Sequence, residues 1–264
     1  MNDNPEVFSA LLKDESVCLL TDLVCVKDKI LIVDNENRKI KRFTMKGNLV
    51  DILILNDPYG ISNLILSSHV VLTEPKVTSI SFVSTDGRLA LSSRRKCSKK
   101  YQSVCCIDET RLAVGCYDTG NASVEIIDYI GNVLRTMSPI LHIDSSFRNP
   151  KYLCYLNNKY ILVSDSGLRK LVGISPDKNV DFEYDPKCTP GGVTVDSSDA
   201  MYLCLCDRNC IHQLDIEKKK TSRIFSDEKL KLPSAVTTSK KYLIVIQERN
   251  KNDVIMFKVS HLLI

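Results

Sequence analysis

Short apolar runs, each closed by a polar turn, recur along the whole chain. The sharpest example is ILIVDNENRKIKRFTMKGNLVDI, residues 30–52. Its apolar run, Ile30 to Val33, ends at Asp34, and a polar turn leads to a second strand carrying Ile40 and Phe43. A Met45-Lys46-Gly47-Asn48 turn, with Gly and Asn where a positive φ is needed, then leads to a third strand from Leu49 to Leu53. A meander of this kind cannot bury both of its faces by itself, so it requires neighbours of the same kind.

Copies follow: LAVGCYDTGNASVEIIDYIGNVLRTM from Leu112, YILVSDSGLRKLVGISPDKNVDFEY from Tyr160 and MYLCLCDRNCIHQLDIEKKKTSRIF from Met201, with weaker ones from His69 and Tyr242. The apolar strand ends near an acid in four of them, at Asp34, Asp118, Asp165 and Asp207. A further short strand precedes each copy, starting at Leu23, Ser62, Ser103, Tyr152, Gly192 and Ala235. Four strands recurring every roughly 40–49 residues predict propeller blades. The expected fold is therefore all-β: a six-bladed β-propeller of four-stranded antiparallel blades, forming a single domain over residues 1–264. The blades are placed at 23–55, 60–91, 102–137, 151–185, 191–226 and 233–260. Blade six shows only three strands of its own. Residues 7–20 are expected to complete it, through Phe8–Leu12 or Cys18–Leu20, and so remove the open edge of the ring.

The 44% hydrophobic content suffices for one such core, and a net charge of +4 does not by itself imply nucleic acid. No window approaches the ~18 apolar residues that span a bilayer. The acidic start, MNDNPEVFSALLKDES, lacks a secretory pattern, so a cytoplasmic location with reduced thiols is expected for the eleven cysteines. Cys204-Leu205-Cys206 with Cys210 invites a metal reading. Residues two apart on a strand share one face and fill core, however, and no second pair completes a zinc site, so neither metal nor cofactor is expected.

Blade one, from the Asp34 strand through Asn37, the basic pair Arg38-Lys39, Ile40 and Phe43, resembles the NHL repeat. Blade four keeps the pattern in Asp165, Arg169 and Leu171, blade five keeps Asp207, and blades two and six keep little. The absence of Trp argues against WD40 and kelch repeats. The resemblance implies a role like that of the C-terminal propeller of tripartite-motif ubiquitin ligases, which selects a protein partner. With no RING-type array, B-box or heptads in the sequence, it implies the recognition module without ligase chemistry. Some members of the family bind RNA instead, which is the alternative. The repeated Asps are expected to brace turns rather than to catalyse.

Strand alternation puts the loops between blades and the loops between second and third strands at one end of the ring. That end collects seven of the twelve arginines: Arg38, Arg94, Arg95, Arg148, Arg169, Arg208 and Arg249. Guanidinium groups suit bidentate capture of phosphate or carboxylate, so these residues and Lys96 are the expected partner surface. Acids such as Asp57, Glu74 and Glu248 share this end, and the densest basic patch is the link around Arg94-Arg95-Lys96. Tyr59, Tyr101, Tyr117 and Phe147 are the aromatics that could stack on RNA. Calcium-dependent propeller lactonases place Glu, Asn and Asp in the channel. Here the innermost strands offer only Asn63, so the chain is expected not to be an enzyme. A protein partner, no membrane and a monomeric state complete the expectation.

Overall fold

The repeat unit is a four-stranded antiparallel sheet in the computed structural model, which describes residues 4–117, 122–137, 147–156, 159–176, 180–215, 220–248 and 252–259. Six such sheets span residues 20–54, 61–96, 101–137, 150–184, 190–226 and 233–258. The last takes its outer strand from Glu6–Ser9, which pairs with Asp253–Lys258 so that Val7 lies opposite Ile255. The closing strand was expected in this segment, and it begins two residues before Phe8. Among the described residues the only helical turns are Pro75–Val77 and Cys206–Arg208.

Why the second strands read as unbroken apolar runs is clear from where alternate residues go. Ile30 and Ile32 face Ile244 and Ile246 of blade six, whereas Leu31 and Val33 face Val70 and Leu72 of blade two. Each sheet thus has a core on both faces, and period-two alternation between water and core is lost. The same interleaving repeats around the ring, with Val71 against Val114, Val124 against Val163, Leu162 against Leu203 and Cys204 against Val245. The cysteines are all free, and seven of them lie buried in these blade-to-blade cores or against the ring-closing segment.

The innermost strands start earlier than expected: Leu20 rather than Leu23 in blade one, and Pro150 rather than Tyr152 in blade four. A register shift explains it. In five blades the first residues of this strand bulge, between Leu20 and Asp22 or Pro150 and Tyr152 for example, so polar residues sit inside a strand that the apolar pattern hides. Neighbouring inner strands then converge closely on the axis. A Cβ on Gly60 would lie 2.4 Å from the Gln102 carbonyl oxygen, and one on Gly192 would lie 2.6 Å from Ala235 Cα.

Blade two does not end near Leu91. Its outer strand runs Ala90–Lys96, so Arg94, Arg95 and Lys96 stand on a strand and not in a basic link. The reason is electrostatic. Glu74 is wholly buried at the end of the second strand, and Arg94 Nε donates to its Oε1 at 2.8 Å.

Candidate functional site

In five of the six blades a side-chain oxygen at the end of the second strand holds the loop that enters the same blade. Asp34 Oδ1 accepts the Leu19 N–H at 3.1 Å, and Asp165 accepts those of Arg148 and Asn149 at 2.8 and 2.9 Å. Asp207 Oδ2 accepts both the N–H and the hydroxyl of Thr189, at 3.0 and 2.7 Å. Blade two uses Glu74, which accepts from Asn56 and Asp57, and blade six uses Gln247, whose Oε1 accepts the Lys231 N–H at 2.7 Å. Asp118 of blade three lies outside the described residues.

Held this way, the loops enclose a funnel on the ring axis. Its wide part, about 680 Å³, is edged by neutral polar groups including Asn35, Gln102, Asn149 and Thr189. A second cavity of about 500 Å³ is walled by Leu20, Thr21, Tyr152, Ser234 and Gln247. Tyr59, Lys151, Leu232 and Glu248 belong to both. Tyr152 comes from blade four, yet it packs with Leu20 and Leu23 of blade one and Ala235 of blade six. Its hydroxyl approaches the Thr21 carbonyl at 3.4 Å, and burial pushes its phenol well above the ordinary value. Tyr152 therefore spans the axis and floors the funnel.

Four cations at this end have a carboxylate partner. Lys76 pairs with Asp57 at 3.1 Å, Lys151 with Glu248 at 3.1 Å, Arg169 with Asp207 at 3.4 Å and Lys187 with Asp185 at 2.7 Å. Of the expected partner residues, Arg38, Arg148, Arg169 and Arg208 are exposed on loops of this end, and Arg95 and Lys96 are exposed on the outer strand of blade two. No arginine among the described residues lines either cavity; lysines do, at 76, 100 and 151. Arg249 lies outside the described residues. Two of the four candidate aromatics, Tyr101 and Phe147, are buried in blade contacts and offer no stacking surface, whereas Tyr59 and Tyr117 line the funnel.

Sequence reasoning missed one channel residue. Asp22 lies on the inner strand of blade one, where its Oδ2 accepts the Ile61 N–H of blade two at 3.0 Å and its Oδ1 accepts the Leu23 N–H at 2.9 Å. Burial pushes this carboxyl up to about 7, against the pull of those two bonds. The count that left Asn63 as the sole ligand-type side chain of the inner strands is corrected accordingly. Asn63 itself donates to the Cys25 carbonyl at 3.0 Å. Taking the first apolar residue as the strand start hid Asp22 behind the bulge.

Cys206 faces the funnel, but burial raises its thiol to about 12 and it hydrogen-bonds the Pro233 carbonyl, so it is a protonated donor rather than a nucleophile. The one group of side chains among the described residues with metal-ligand spacing, Glu15, Cys18 and Asp34, already surrounds a cation. The Lys41 ammonium bonds all three of them.

No protein-family model matches the sequence, and no curated protein matches it. Solved structures do match in fold. A streptogramin B lyase structure has a TM-score of 0.66 at 13% identity, covering 96% of this chain and 97% of that one. A catalytically inactive virginiamycin B lyase from Staphylococcus aureus, solved with quinupristin, has a TM-score of 0.66 at 11% identity, covering 97% and 89%. A chain of a nidogen/laminin complex has a TM-score of 0.67 at 16% identity, covering 84% and 85%. At these identities the likeness establishes the six-bladed propeller and nothing finer. It also overturns one expectation. Enzymes carry this fold over nearly the full length of the chain, and the inner strands do hold a carboxylate, so the reasoning that ruled out catalysis fails. No helix among the described residues is long and apolar enough to cross a membrane.

Proposed function

We propose that this chain is an NHL-like recognition propeller whose funnel end binds a protein partner, as the substrate-selecting domain of tripartite-motif ligases does. The observation that carries the reading is the pairing of charge around the funnel. Lys76, Lys151, Arg169 and Lys187 each have a carboxylate partner, and Tyr59 and Tyr117 sit among neutral amides. A polyanion drawn to those four cations would have to displace their carboxylates. A protein surface, with both signs of charge and aromatic contacts, matches the end as it stands. The nidogen/laminin neighbour, solved in a complex between proteins, is consistent with such use of the fold.

The test selects peptides from a random display library on the immobilised protein. Enriched peptides are expected to bind near micromolar and to weaken about tenfold when Lys100→Glu and Tyr117→Ala are combined. Binding untouched by that pair but lost with Lys27→Glu and Lys46→Glu, at the opposite end, would move the surface and sink the reading. So would tight single-stranded RNA binding with a steep salt slope that Arg169→Ala plus Arg208→Ala abolishes.

A further inference from the structure

The outer strand of blade one, Leu49–Ile54, is the last of its sheet, and no described residue pairs with its far side. Which backbone groups that leaves free follows from the register. The Leu55 N–H donates to the Arg38 carbonyl at 2.9 Å, so in this antiparallel pair the alternate residues Leu53 and Asp51 also turn their backbone groups inward, to Ile40 and Arg42. Ile52 and Ile54 turn theirs outward. The side chains of these same two residues are 39% and 67% exposed. Unpaired backbone donors and acceptors flanked by apolar side chains are satisfied together only by another extended strand.

Charge and symmetry decide whose strand that is. Asp51 is the one charged residue of the segment; Arg42 holds it through Nε and Nη2, each at 2.7 Å, and the Leu89 N–H donates to its Oδ2 at 2.8 Å. A copy of the strand laid antiparallel about Ile52 overlaps it from Val50 to Ile54. It sets Ile52 beside Ile52, Ile54 beside Val50 and the neutralised Asp51 beside Leu53, so apolar groups meet across the pair and no like charges do. The outer strand of blade two, Ala90–Lys96, lacks this neutrality, because Arg95 and Lys96 have no carboxylate partner among the described residues. Pairing of identical edges about a two-fold axis also uses up both of them, and so closes instead of propagating.

We propose that two copies of this chain pair through Leu49–Ile54 as a two-fold dimer, with one eight-stranded sheet running across both first blades. The contact lies outside the funnel and does not depend on the partner-binding reading; it replaces the monomer expected from the sequence. One strand from each copy buries well under about 1,200 Å², so the dimer is weak, with a dissociation constant of about 100 μM.

Sedimentation velocity on the intact chain, from tenfold below that concentration to tenfold above it, should show monomer passing into dimer. Ile52→Lys sets two ammonium groups side by side on the two-fold axis and should keep the chain monomeric throughout, with the melting temperature unchanged. Ile54→Lys, at the more exposed position, should do the same and serves should Ile52→Lys not fold. The register has its own readout. Directly opposite residues of this kind lie about 5.5 Å apart at Cα, within disulfide reach, so Ile52→Cys should crosslink to its copy under mild oxidation. Val133→Cys, at a similarly exposed place on the outer strand of blade three, should crosslink no more than the wild type does. A wild type that stays monomeric throughout, a dimer that survives Ile52→Lys and Ile54→Lys, or equal crosslinking of the two cysteine variants would each overturn the assignment. So would a selected peptide that binds monomeric wild type and is lost in Ile52→Lys, since the edge would then serve a strand of another protein.

Discussion

Lys41 Nζ donates to Asp34 Oδ2 at 2.6 Å with neither side chain exposed to solvent. The same ammonium bonds Glu15, the Ala10 carbonyl at 3.0 Å and Cys18 Sγ at 3.4 Å. One cation therefore fastens the segment that follows the ring-closing strand to the first blade. Burial pushes the Asp34 carboxyl up, but the bonds from Lys41 and Asn37 outweigh it and hold the group below the usual range; Glu15 is held low against burial in the same way by Lys39 and Lys41.

Replacing that cation separates packing from charge. Lys41→Met keeps the stem and strands two buried carboxylates, which should cost about 3–5 kcal/mol in urea unfolding at neutral pH. The sign of the pH dependence is the diagnostic. In the wild type the depressed carboxyls contribute stability that is present above their ordinary values and lost as pH falls through the folded ones. In Lys41→Met the buried acids lack their partner and favour protonation, so the deficit should shrink on acidification. A deficit independent of pH would mean that the ammonium contributes packing alone.

The loop-holding side chains should rank by burial and by the number of amides each accepts. Asp165 is fully buried and accepts from Arg148, Asn149, Gly167 and Leu168. Asp207 is half exposed and serves Thr189 alone among the backbone donors. Asp165→Ala is expected to cost about 3 kcal/mol and Asp207→Ala less than about 1 kcal/mol, read as shifts in denaturation midpoint. The reverse order would show that these residues do not act through the loops they hold.

The ring itself was legible because a sheet with cores on both faces must write its second strand as an unbroken apolar run, and KILIVD, YILVSD and YLIVIQ all do. The functional end was legible only in part. A loop's place on one end of the ring follows from strand alternation, but its distance from the axis does not, so the arginines were read as a binding surface although lysines line the funnel. Glu74 and Gln247 escaped because the repeat pattern sought Asp, whereas the geometry asks only for a side-chain oxygen. Arg94 escaped because a run of basic residues looks like a linker when its buried partner is twenty residues away.

Asp22 should impose an opposite pH dependence between pH 5 and 8, where the Lys41 cluster is fully ionised. Its folded value, about 7, lies above the ordinary carboxylate range, so its contribution is present below that range and lost as pH rises through 7. Asp22→Asn keeps an oxygen for the Ile61 amide and removes the charge. Stability at pH 8 should rise by about 2 kcal/mol, less than the full shift implies because the residue retains some contact with water, while at pH 5 the change should be near zero. A loss of stability at both pH values would identify Asp22 as an ionised latch between blades one and two.

The outer edge of blade one carries the last prediction. Leu49–Ile54 reads LVDILI, and Leu49, Val50, Ile52 and Ile54 are all substantially exposed, Ile54 at 67%. Its sole charge, Asp51, is held bidentately by Arg42 at 2.7 Å through both carboxylate oxygens, so no free charge guards the strand. The outer strand of blade two, ALSSRRK, carries three basic residues instead. A six-residue apolar edge without proline or free charge is a template for pairing with another such edge. Val50→Lys with Ile54→Lys should therefore slow aggregation in a concentrated, gently heated sample, followed by light scattering, and leave the melting temperature within about 2 °C of the wild type because neither side chain is buried. Arg42→Ala should lower the melting temperature instead, since it breaks the bonds from Arg42 to the Thr85 and Gly87 carbonyls that tie blade one to blade two. Equal aggregation in the lysine variant would place the sticky surface elsewhere on the ring, with Ile130 and Leu134 at the outer edge of blade three the next exposed apolar group.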